Sequence, residues 1–436
     1  MTTATRDALS LGNVADARLP RLPRLLPATG HPAELAEYLR MHGPTPYRGG
    51  PRMLIHTIEA AGLTGRGGAA FPTHRKLTAV ATQKGKAVVV GNGAEGEPAS
   101  DKDKTLLWSS PHLVLDGLQL AAETVGARQV YLYVHRHPEL LRRLDFALAE
   151  RAAAGLDRIA VGLVSAPPRF LAGEETAVVS RVEGGAALPR FSPPRVFERG
   201  VNDAPTLVTN VETLAHISLV ARYGAGWFRS VGTEQEPGSM LTTLRHADGS
   251  GGVEEVGIGT PIADLLRLDK HPAQAVLVGG YHGAWLPVEQ ARALTLSNAD
   301  LRPFGAAVGA GVLAALPADR CGLVESARVL QYLALESAGQ CGPCLGGLPR
   351  IAATFSQLAG RRSAPAGRDD LQRWSRMVER RGACHHPDGT VHFLRSALNV
   401  FADEVTLHEA GWCSAGTDKP FLPIPASSPA HTNDWS

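Results

Sequence analysis

The hydrophobic pattern of the chain is most regular between residues 51 and 232, where apolar positions follow two alternating spacings. The stretch MLIHTIEAAGL repeats apolar residues at helical spacing, whereas AVVVGNG and QVYLYV are short apolar runs typical of buried strands. Helical and strand-like stretches succeed each other up to about residue 166. Strands separated by helices predict a parallel sheet with helices on both faces, so an α/β fold is expected.

The pattern changes near residue 238, where two strand-like runs are joined by a glycine-rich turn. Thr260 is expected to cap the helix that follows, with Pro261 in its first turn. A compact β-grasp-like module over residues 233–318 suits this region. From residue 319 to 415, four amphipathic segments with short connections predict a helical bundle: LVESARVLQYLALES, PRIAATFSQLAG, RDDLQRWSRMVERRG and VHFLRSALNVFADEVTLHEAG.

Both ends of the chain lack a sustained period. Residues 1–50 are rich in Pro, Arg and Leu, and their prolines disfavour a helix, so an arm lying on the surface is expected. Residues 416–436 are a Pro- and Ser-rich tail, which is expected to be disordered or draped over the protein.

Composition and charge limit the function classes. The 436 residues are 44% apolar and have a formal net charge of +2, which suits two to four packed domains and gives no bias toward nucleic acid. The sequence has no run of about 18 apolar residues and no apolar segment behind a basic start. Neither a membrane-spanning helix nor a secretory signal is therefore expected, and a cytoplasmic location is predicted.

The cysteines indicate a metal or redox site. Five of them are too few and too unevenly spaced for a disulfide framework. The close pair Cys341 and Cys344, in ESAGQCGPC, is typical of metal binding or redox chemistry. Cys321 and Cys413 are expected to be buried thiols.

A glycine-rich loop, GLTGRGGAAFPT, is the first candidate for ligand binding. Gly65, Gly67 and Gly68 let the backbone approach an anion closely, and Arg66 adds positive charge. The loop is not the dinucleotide fingerprint, because Ala70 stands where the third glycine would be. A glycine-rich turn without a ligand is an equally good interpretation of the loop alone.

Polar residues elsewhere give weaker signals. Asn92, Glu95 and Glu97 follow a predicted strand, at the end where open α/β sheets bind ligands, although a solvated loop would look the same. Glu174 and Glu175 open a predicted helix, where the helix dipole alone favours negative charge. Asn210, or the threonine before it, is expected to cap another helix.

Taken in order, these motifs resemble the NADH-binding flavoprotein subunit of respiratory complex I, the NADH-quinone oxidoreductase F-subunit family. The resemblance runs from about residue 53 to about residue 410 and rests on G-R-G-G-A-x-F-P-T, N-x-x-E-x-E-P, G-E-E-T-A, P-T-x-V-x-N-V-E-T and E-S-x-G-Q-C-x-P-C. It implies a Rossmann-like flavin domain over 51–232, a ubiquitin-like β-grasp domain of the soluble-ligand-binding type over 233–318, and a C-terminal four-helix bundle with an iron-sulfur loop over 319–415.

The resemblance also implies a function. The protein would oxidise NADH through FMN and pass electrons to an iron-sulfur partner, such as a small 2Fe-2S subunit or a ferredoxin. Partner subunits could attach it to the inner face of a membrane. Hydride transfer belongs to the two cofactors, so no catalytic base is required. The cofactor-binding residues implied are Gly65, Arg66, Gly67, Gly68, Phe71, Lys76, Asn92, Glu95, Glu97, Phe170, Glu174, Glu175 and Asn210.

The same resemblance implies an iron-sulfur cluster with an incomplete ligand set. In the family, four cysteines hold a 4Fe-4S cluster in the order C-x2-C-x2-C with a fourth about 40 residues on. Cys341, Cys344 and Cys384 fill three of these places, and Ala338 occupies the first. A 3Fe-4S cluster, a 4Fe-4S cluster completed by another residue, and no cluster all stay open; the candidate replacements are Ser337, Cys321, His385 and His386.

Other departures from the family pattern affect the flavin site. Ala94 replaces an aspartate, Phe170 a tyrosine, Ala79 an aromatic residue and Ala70 a glycine. Each lost hydrogen bond would weaken flavin binding by about 0.5–1.5 kcal/mol. An alternative function is therefore a divergent scaffold or nucleotide-binding module with incomplete cofactor sites.

Overall fold

The computed structural model of the protein describes residues 22–47, 51–361, 367–417, 419–425 and 435–436. Parts of the predicted N-terminal arm, 1–21 and 48–50, and of the predicted tail, 418 and 426–434, lie outside the described residues. None of the helices in the described ranges combines the length and the apolarity needed to cross a membrane.

The first sheet is parallel and has the strand order β3-β2-β1-β4. Its strands are β1 (Ala87–Gly93), β2 (Ala127–His135), β3 (Val161–Ala166) and β4 (Thr206–Asn210). The helices of this region are α1 (Leu35–His42), α2 (Pro51–Ala61), α3 (Thr73–Ala81), α4 (Lys102–Ser109), α5 (Pro111–Val125), α6 (Pro138–Ala153), α7 (Glu175–Val182) and α8 (Val211–Arg229).

Alternate residues of β1 enter two different cores, as the pleat of a strand requires. Val89 packs in the core that contains α2, α3, α5 and α8, whereas Val88 and Val90 pack in the core that contains α7. Helices therefore cover both faces of the sheet, which confirms the predicted α/β class. The chain leaves β1 for β2 and β3 and returns on the other side to β4, so a ligand-binding crevice is expected where β1 and β4 end.

The second sheet is mixed, with the order β6-β5-β9-β7-β8. Its strands are β5 (Ser239–Arg245), β6 (Gly251–Gly257), β7 (Ala273–Val278), β8 (Ala284–Pro287) and β9 (Val312–Pro317), accompanied by the short helices α9 (Ile262–Leu265), α10 (Val288–Arg292) and α11 (Asn298–Leu301). The first and last strands, β5 and β9, lie side by side and parallel, and the other pairs are antiparallel. This is the β-grasp arrangement predicted for the region.

The C-terminal helices are α12 (Gly322–Leu335), α13 (Leu348–Ala359), α14 (Gly367–Val378), α15 (His386–Val400) and α16 (Ala402–Glu409). A π-helical turn, Pro343–Gly347, follows the first cysteine of the pair. The last predicted segment forms two helices rather than one. The break lies at Phe401, whose buried ring packs against Trp285 and occupies the space where a side chain at Gly322 would stand.

One local prediction was wrong and one helix was not predicted, in both cases for reasons of hydrogen bonding. Thr260 does not cap α9, since its hydroxyl donates to the carbonyl of Gly257 and Pro261 occupies the position before the helix. The sequence pattern did not predict α4. Its first turn is capped from outside, because the Glu95 carboxylate accepts hydrogen bonds from the amides of Lys102, at 3.0 Å, and Asp103, at 3.4 Å.

The crossing of α5 and α8 against the sheet generates a stability prediction. A side chain added at Gly117 would lie 1.9 Å from the carbonyl oxygen of Leu214, which belongs to the facing helix backbone. Gly117→Ala should therefore separate the helices and lower the free energy of unfolding by about 2 kcal/mol or more, measured by chemical denaturation.

Gly226→Ala provides the matched control, since no atom lies within 4 Å of the added side chain in α8. It should be neutral or stabilising by up to about 1 kcal/mol. Equal losses in the two variants would contradict the predicted role of the helix crossing.

Candidate functional site

A cavity of about 590 Å³ lies at the carboxyl ends of β1 and β4, in the crevice that the strand order predicts. The glycine-rich loop before α3, the loop after β1 and the start of α7 form its walls. All but one of the cofactor-binding residues that the sequence indicated line this cavity, and the exception is Gly68. The lining residues are Gly65, Arg66, Gly67, Phe71, Lys76, Asn92, Glu95, Glu97, Phe170, Glu174, Glu175 and Asn210.

Gly68 is placed differently from its neighbours. It faces a narrow cleft beside Gly309, so its part in the loop is conformational, at φ +107°. The cavity is also lined by residues that were not predicted to bind the cofactor, including Ser100, Lys102, Asp103, Thr213, Ala310 and His385, the last of which was a candidate cluster ligand. The K-D-K sequence after N-x-x-E-x-E-P was the available signal for Lys102 and Asp103.

The glycine-rich loop presents unpaired backbone donors. Among the described residues, the amides of residues 67–71 donate no hydrogen bond, although Gly65 donates to Phe71 and Arg66 donates to Thr213. The buried hydroxyl of Thr73, at the start of α3, likewise has no partner in the described part of the chain. Consecutive free amides next to a helix start are a favourable setting for a phosphate.

Arg66 does not offer its charge to the cavity as freely as the sequence suggested. Its buried guanidinium donates to the carbonyl of Ser239 in β5, with Nη2 at 3.1 Å, and to Thr64. The side chain therefore ties the glycine-rich loop to the β-grasp sheet. Lys76, half-buried at the cavity, is the cation that is better placed to meet a ligand.

Two acidic residues of the loop after β1 are held by backbone donors. Glu97 accepts hydrogen bonds from the amides of Tyr281, at 2.7 Å, and Ala99, at 3.1 Å. Burial is the main reason why the pKa of Glu97 rises to about 7, and burial likewise raises the pKa of Glu95 to about 7. Both groups can thus change protonation near neutral pH.

The two glutamates at the start of α7 have different roles. Glu174 caps the helix, with Oε2 accepting from the amides of Thr176, at 2.9 Å, and Ala177, at 3.1 Å. Glu175 instead forms an ion pair with Lys76 at 2.8 Å, between side chains that are about one third exposed or more. This pair joins two walls of the cavity and is accessible to a ligand.

A buried charge network lies beneath the cavity. Lys102 Nζ lies 2.7 Å from Asp103 and 2.9 Å from Glu212, and Asn210 donates to Asp103 at 2.7 Å. Burial opposes ionisation of Glu212, but Lys102, His216 and Arg66 outweigh it and lower its pKa to about 2. Asn92 donates to the carbonyl of Gly173 at 2.9 Å, which closes the network against the loop before α7.

The aromatic residues at the cavity face different surroundings. Phe71 is 52% exposed and presents a free ring face. Phe170 packs edge-on against His282, with ring centroids 4.7 Å apart, and against Tyr332. The Phe170 backbone amide donates to Glu336, at the end of α12, so this wall of the cavity connects directly to the cysteine loop.

The three cysteines of the cluster motif come together behind that wall. Cys344 is buried, and Cys341 and Cys384 are partly buried neighbours that raise its pKa, after the larger effect of burial. Cys341 and Cys384 both act on Cys344, so the three thiols of the motif are neighbours in space although Cys384 lies far along the chain. Three neighbouring cysteines can ligate an iron-sulfur cluster, in which each cysteine binds a different iron.

Two of the proposed replacements for the missing ligand are wrong. Both ring nitrogens of His386 are engaged, with Leu333 at 2.8 Å and His282 at 3.0 Å. Cys321 immediately precedes α12 whereas Cys341 lies beyond its other end, and this 14-residue helix is about 21 Å long. His385 is exposed and lines the cavity next to Cys384, so it and Ser337 stay candidates beside Ala338.

Comparison with known proteins decides the family. Residues 58–219 match the family described as the Nuo51 FMN-binding domain, and residues 325–408 match the NADH-ubiquinone oxidoreductase-F iron-sulfur binding region. The NADH-quinone oxidoreductase F-subunit 2 of Rhizobium meliloti is 27% identical over 377 residues, which cover 82% of this chain and 89% of the relative. The chain belongs to the NADH-quinone oxidoreductase F-subunit family.

Other members of this family and a related enzyme agree. The NADH-quinone oxidoreductase F-subunit of Mycobacterium tuberculosis (strain H37Rv) is 29% identical over 388 residues, covering 83% of this chain and 86% of the relative. A crystal structure of NAD+-reducing [NiFe]-hydrogenase in the air-oxidized state superposes with a TM-score of 0.78 and 28% identity, over 91% of this chain and 68% of that one. In the H2-reduced state the TM-score is 0.77 at 27% identity, over 85% of this chain and 64% of that one.

The residues of the cavity fit the flavin that this family binds. Free amides over residues 67–71 and Lys76 suit a phosphate, and Asn92 and Asn210 place amide groups at the strand ends. The cysteine loop fits an iron-sulfur cluster at three ligands of four, because the methyl group of Ala338 cannot bind iron.

Backbone strain at one departure from the family pattern generates a prediction. Ala70 has φ +49°, in the left-handed region where glycine is favoured. Ala70→Gly should relieve this strain, raising the free energy of unfolding by about 0.5 kcal/mol or more and tightening FMN binding, measured by denaturation and by flavin fluorescence titration.

Ala69→Gly serves as the matched control, since Ala69 has no positive φ and glycine there should cost about 0.5–1 kcal/mol. A loss of stability in Ala70→Gly as large as in Ala69→Gly would show that the loop is unstrained.

The raised pKa of Glu97 gives a prediction for pH dependence. Between the unfolded value and about pH 7 the folded protein binds more protons, so this group's contribution to stability falls as pH rises. Glu97→Gln removes the ionisation and keeps an acceptor oxygen. Its free energy of unfolding relative to the wild type should increase between pH 5 and pH 8, by up to about 1.4 kcal/mol per pH unit.

Glu139→Gln, on the exposed start of α6, is the matched control and should follow the wild-type pH profile. The expected role of Glu97 would be contradicted if its variant and the wild type gave parallel stability profiles over this range.

Proposed function

We propose that the chain is the electron-input subunit of an NADH-dependent oxidoreductase, which oxidises NADH through FMN and passes electrons to an iron-sulfur partner. One observation supports this most directly. The family motifs extend over more than 140 positions of the sequence, from the glycine-rich loop to Asn210, yet their residues line one cavity. FMN accepts a hydride from NADH, and an iron-sulfur cluster passes electrons on singly.

The glycine-rich loop and Lys76 would hold the flavin phosphate, since free amides and a nearby cation favour an anion. Asn92 and Asn210 are fixed by hydrogen bonds to Gly173 and Asp103, so their positions at the strand ends are set before a ligand arrives. A pre-organised site loses less side-chain freedom on binding.

NADH would occupy the side of the cavity formed by Phe71, Glu97 and Glu175. The exposed ring of Phe71 offers a stacking face, and the carboxylate of Glu175 can exchange its ion pair with Lys76 for ligand hydroxyl groups. Glu97 is held by two amides and orients the loop rather than moving a proton.

Electrons would leave toward Cys341, Cys344 and Cys384, which lie behind the Phe170 wall. Phe170 and Glu336 join the cavity to the cysteine loop, and His385 borders both. The exposed side chain of Leu345, within this loop, gives a partner an apolar contact beside the cluster.

The acceptor we propose is a small 2Fe-2S subunit or a ferredoxin, as the resemblance of the ordered motifs implies. Attachment to the inner face of a membrane, through partner subunits, and a cytoplasmic location belong to the same proposal. Neither rests on a membrane-crossing helix, since the described ranges of the chain contain none.

Anaerobically purified protein tests the function. It should show flavin absorbance, contain iron and acid-labile sulfide, and reduce ferricyanide with NADH. Lys76→Ala and Glu175→Ala should raise the KM for NADH or release flavin, whereas Glu139→Gln should do neither. Colourless, iron-free protein that does not react with NADH would favour the divergent scaffold.

The missing ligand generates a separate prediction. Ala338→Cys should increase iron content toward four per chain and convert the electron paramagnetic resonance signal to that of a 4Fe-4S cluster, because thiolate is the preferred ligand.

Ala334→Cys, one helical turn earlier in α12, is the matched control and should leave the iron content unchanged. If Ala338→Cys also changes neither iron content nor spectrum, another residue already completes the cluster or the loop does not bind iron.

A further inference from the structure

A second group of metal-ligand side chains lies far from the cluster motif. Cys321 immediately precedes α12, Glu404 and His408 lie one turn apart on α16, and Cys413 follows that helix. Each residue offers one ligand atom, and these four atoms all lie within 4.8 Å of one another. Neither family description accounts for the group, because both thiols lie outside the residues that match.

The distances within the group match those around a single small ion. Cys321 Sγ is 3.5 Å from His408 Nε2, which is 3.1 Å from Glu404 Oε1. A tetrahedral zinc ion with its usual bond lengths would separate sulfur from nitrogen by about 3.6 Å and nitrogen from oxygen by about 3.4 Å. The side chains thus surround a centre of the right size without rearrangement of the backbone.

The orientation of His408 is the second observation that points to a cation. This histidine is 1% exposed, and its Nδ1 lies 3.2 Å from the carbonyl oxygen of Leu358, to which it can only donate. In the neutral ring, Nε2 then has a lone pair directed at Cys321 and Glu404. A backbone carbonyl that fixes the far nitrogen in this way is typical of metal-binding histidines.

Glu404 is also arranged as an acceptor. Its two oxygens receive the amide of Ser414 at 3.0 Å and the hydroxyl of Ser414 at 2.5 Å. An ionised carboxylate therefore faces the lone pair of a neutral His408 across 3.1 Å. Two acceptors at that distance repel each other unless a proton or a metal ion lies between them.

We propose that Cys321, Glu404, His408 and Cys413 bind one Zn²⁺ ion in a closed structural site. Two sulfurs, one imidazole nitrogen and one carboxylate oxygen complete the tetrahedral set that zinc prefers. Binding would convert both thiols to thiolates and release their two protons to solvent. With four protein ligands the ion has no open position, so its role is structural and not catalytic.

The site would fix the end of the chain to the start of α12. The segment after α16 already reaches Asp319, whose carbonyl accepts the amides of Gly416 at 3.1 Å and Thr417 at 3.2 Å. A zinc ion would reinforce these exposed hydrogen bonds with bonds to two buried and two partly buried side chains. The proposal is independent of the flavin and of the cluster, since α12 holds the two cysteine groups at opposite ends.

Metal analysis of two reciprocal variants tests the proposal. Wild-type protein should contain about one zinc per chain in addition to its iron. Cys413→Ser should lower the zinc content about tenfold or more and keep the iron, whereas Cys341→Ser should lower the iron and keep the zinc. Zinc that disappears with Cys341→Ser and persists in Cys413→Ser would overturn the proposal, because it would then belong to the cluster loop.

Cobalt substitution gives a readout that does not depend on activity. Replacement of zinc by Co²⁺ should give the visible bands of a tetrahedral ion and a thiolate charge-transfer band, and both should be absent from Cys413→Ser. The proposal is overturned if the wild-type protein contains no zinc and Cys321 and Cys413 either form a disulfide or react freely with a thiol reagent. The two cysteines would then be a pair of thiols that binds no metal.

A milder substitution keeps the test decisive if the cysteine variants fail to fold. Glu404→Gln should weaken zinc retention against a competing chelator about tenfold or more, whereas Glu409→Gln on the same helix should not. Glu409 is exposed and pairs with Arg368, away from the group. If the two variants retain zinc equally well, Glu404 is not a ligand of the ion. Its role would then be an ion pair with His408.

Discussion

The buried ion network around Lys102 and Glu212 is the constraint on which the site depends. Glu212 lies at the start of α8 and accepts the amide of Leu241 in β5, while Lys102 opens α4. Arg66, from the glycine-rich loop, lies 4.0 Å from the same carboxylate. Because burying these charges is costly unless they are paired, the elements that contribute them must arrive together or not at all. The cavity walls are therefore positioned by electrostatics as much as by apolar packing.

The same constraint explains why several acidic residues of the family motifs bind backbone amides. Glu95 caps α4, Glu174 caps α7 and Glu97 holds the turn at Tyr281. Each side chain accepts hydrogen bonds from backbone amides, so each fixes a segment of the cavity wall. Lys76 and Glu175 are accessible, and their ion pair is the part of the site that a ligand can rearrange.

The helical region places its cysteines in two different environments. Cys341, Cys344 and Cys384 adjoin the cavity through the Phe170 wall and are neighbours in space. Cys321 and Cys413 meet His408 at the other end of α12, in a group tight enough for one ion. The sequence predicted buried thiols at both positions and offered Cys321 as one replacement for the missing cluster ligand. The contact between these residues depends on α16 and on the segment that follows it. The apolar pattern predicted α15 and α16 as a single helix.

Local order was accessible from the sequence, because periodicity, caps and turn residues act over a few positions. The alternation of helices and strands, the β-grasp region and the residues that line the cavity followed from it or from the ordered motifs. The tertiary structure decided which partner each charged or thiol side chain contacts. Arg66 is bound by Ser239 173 residues away, Glu97 by Tyr281 184 residues away, and Cys321 lies beside His408 87 residues away. No local pattern can specify such partners, since their contact exists only after the sheets and helices have packed.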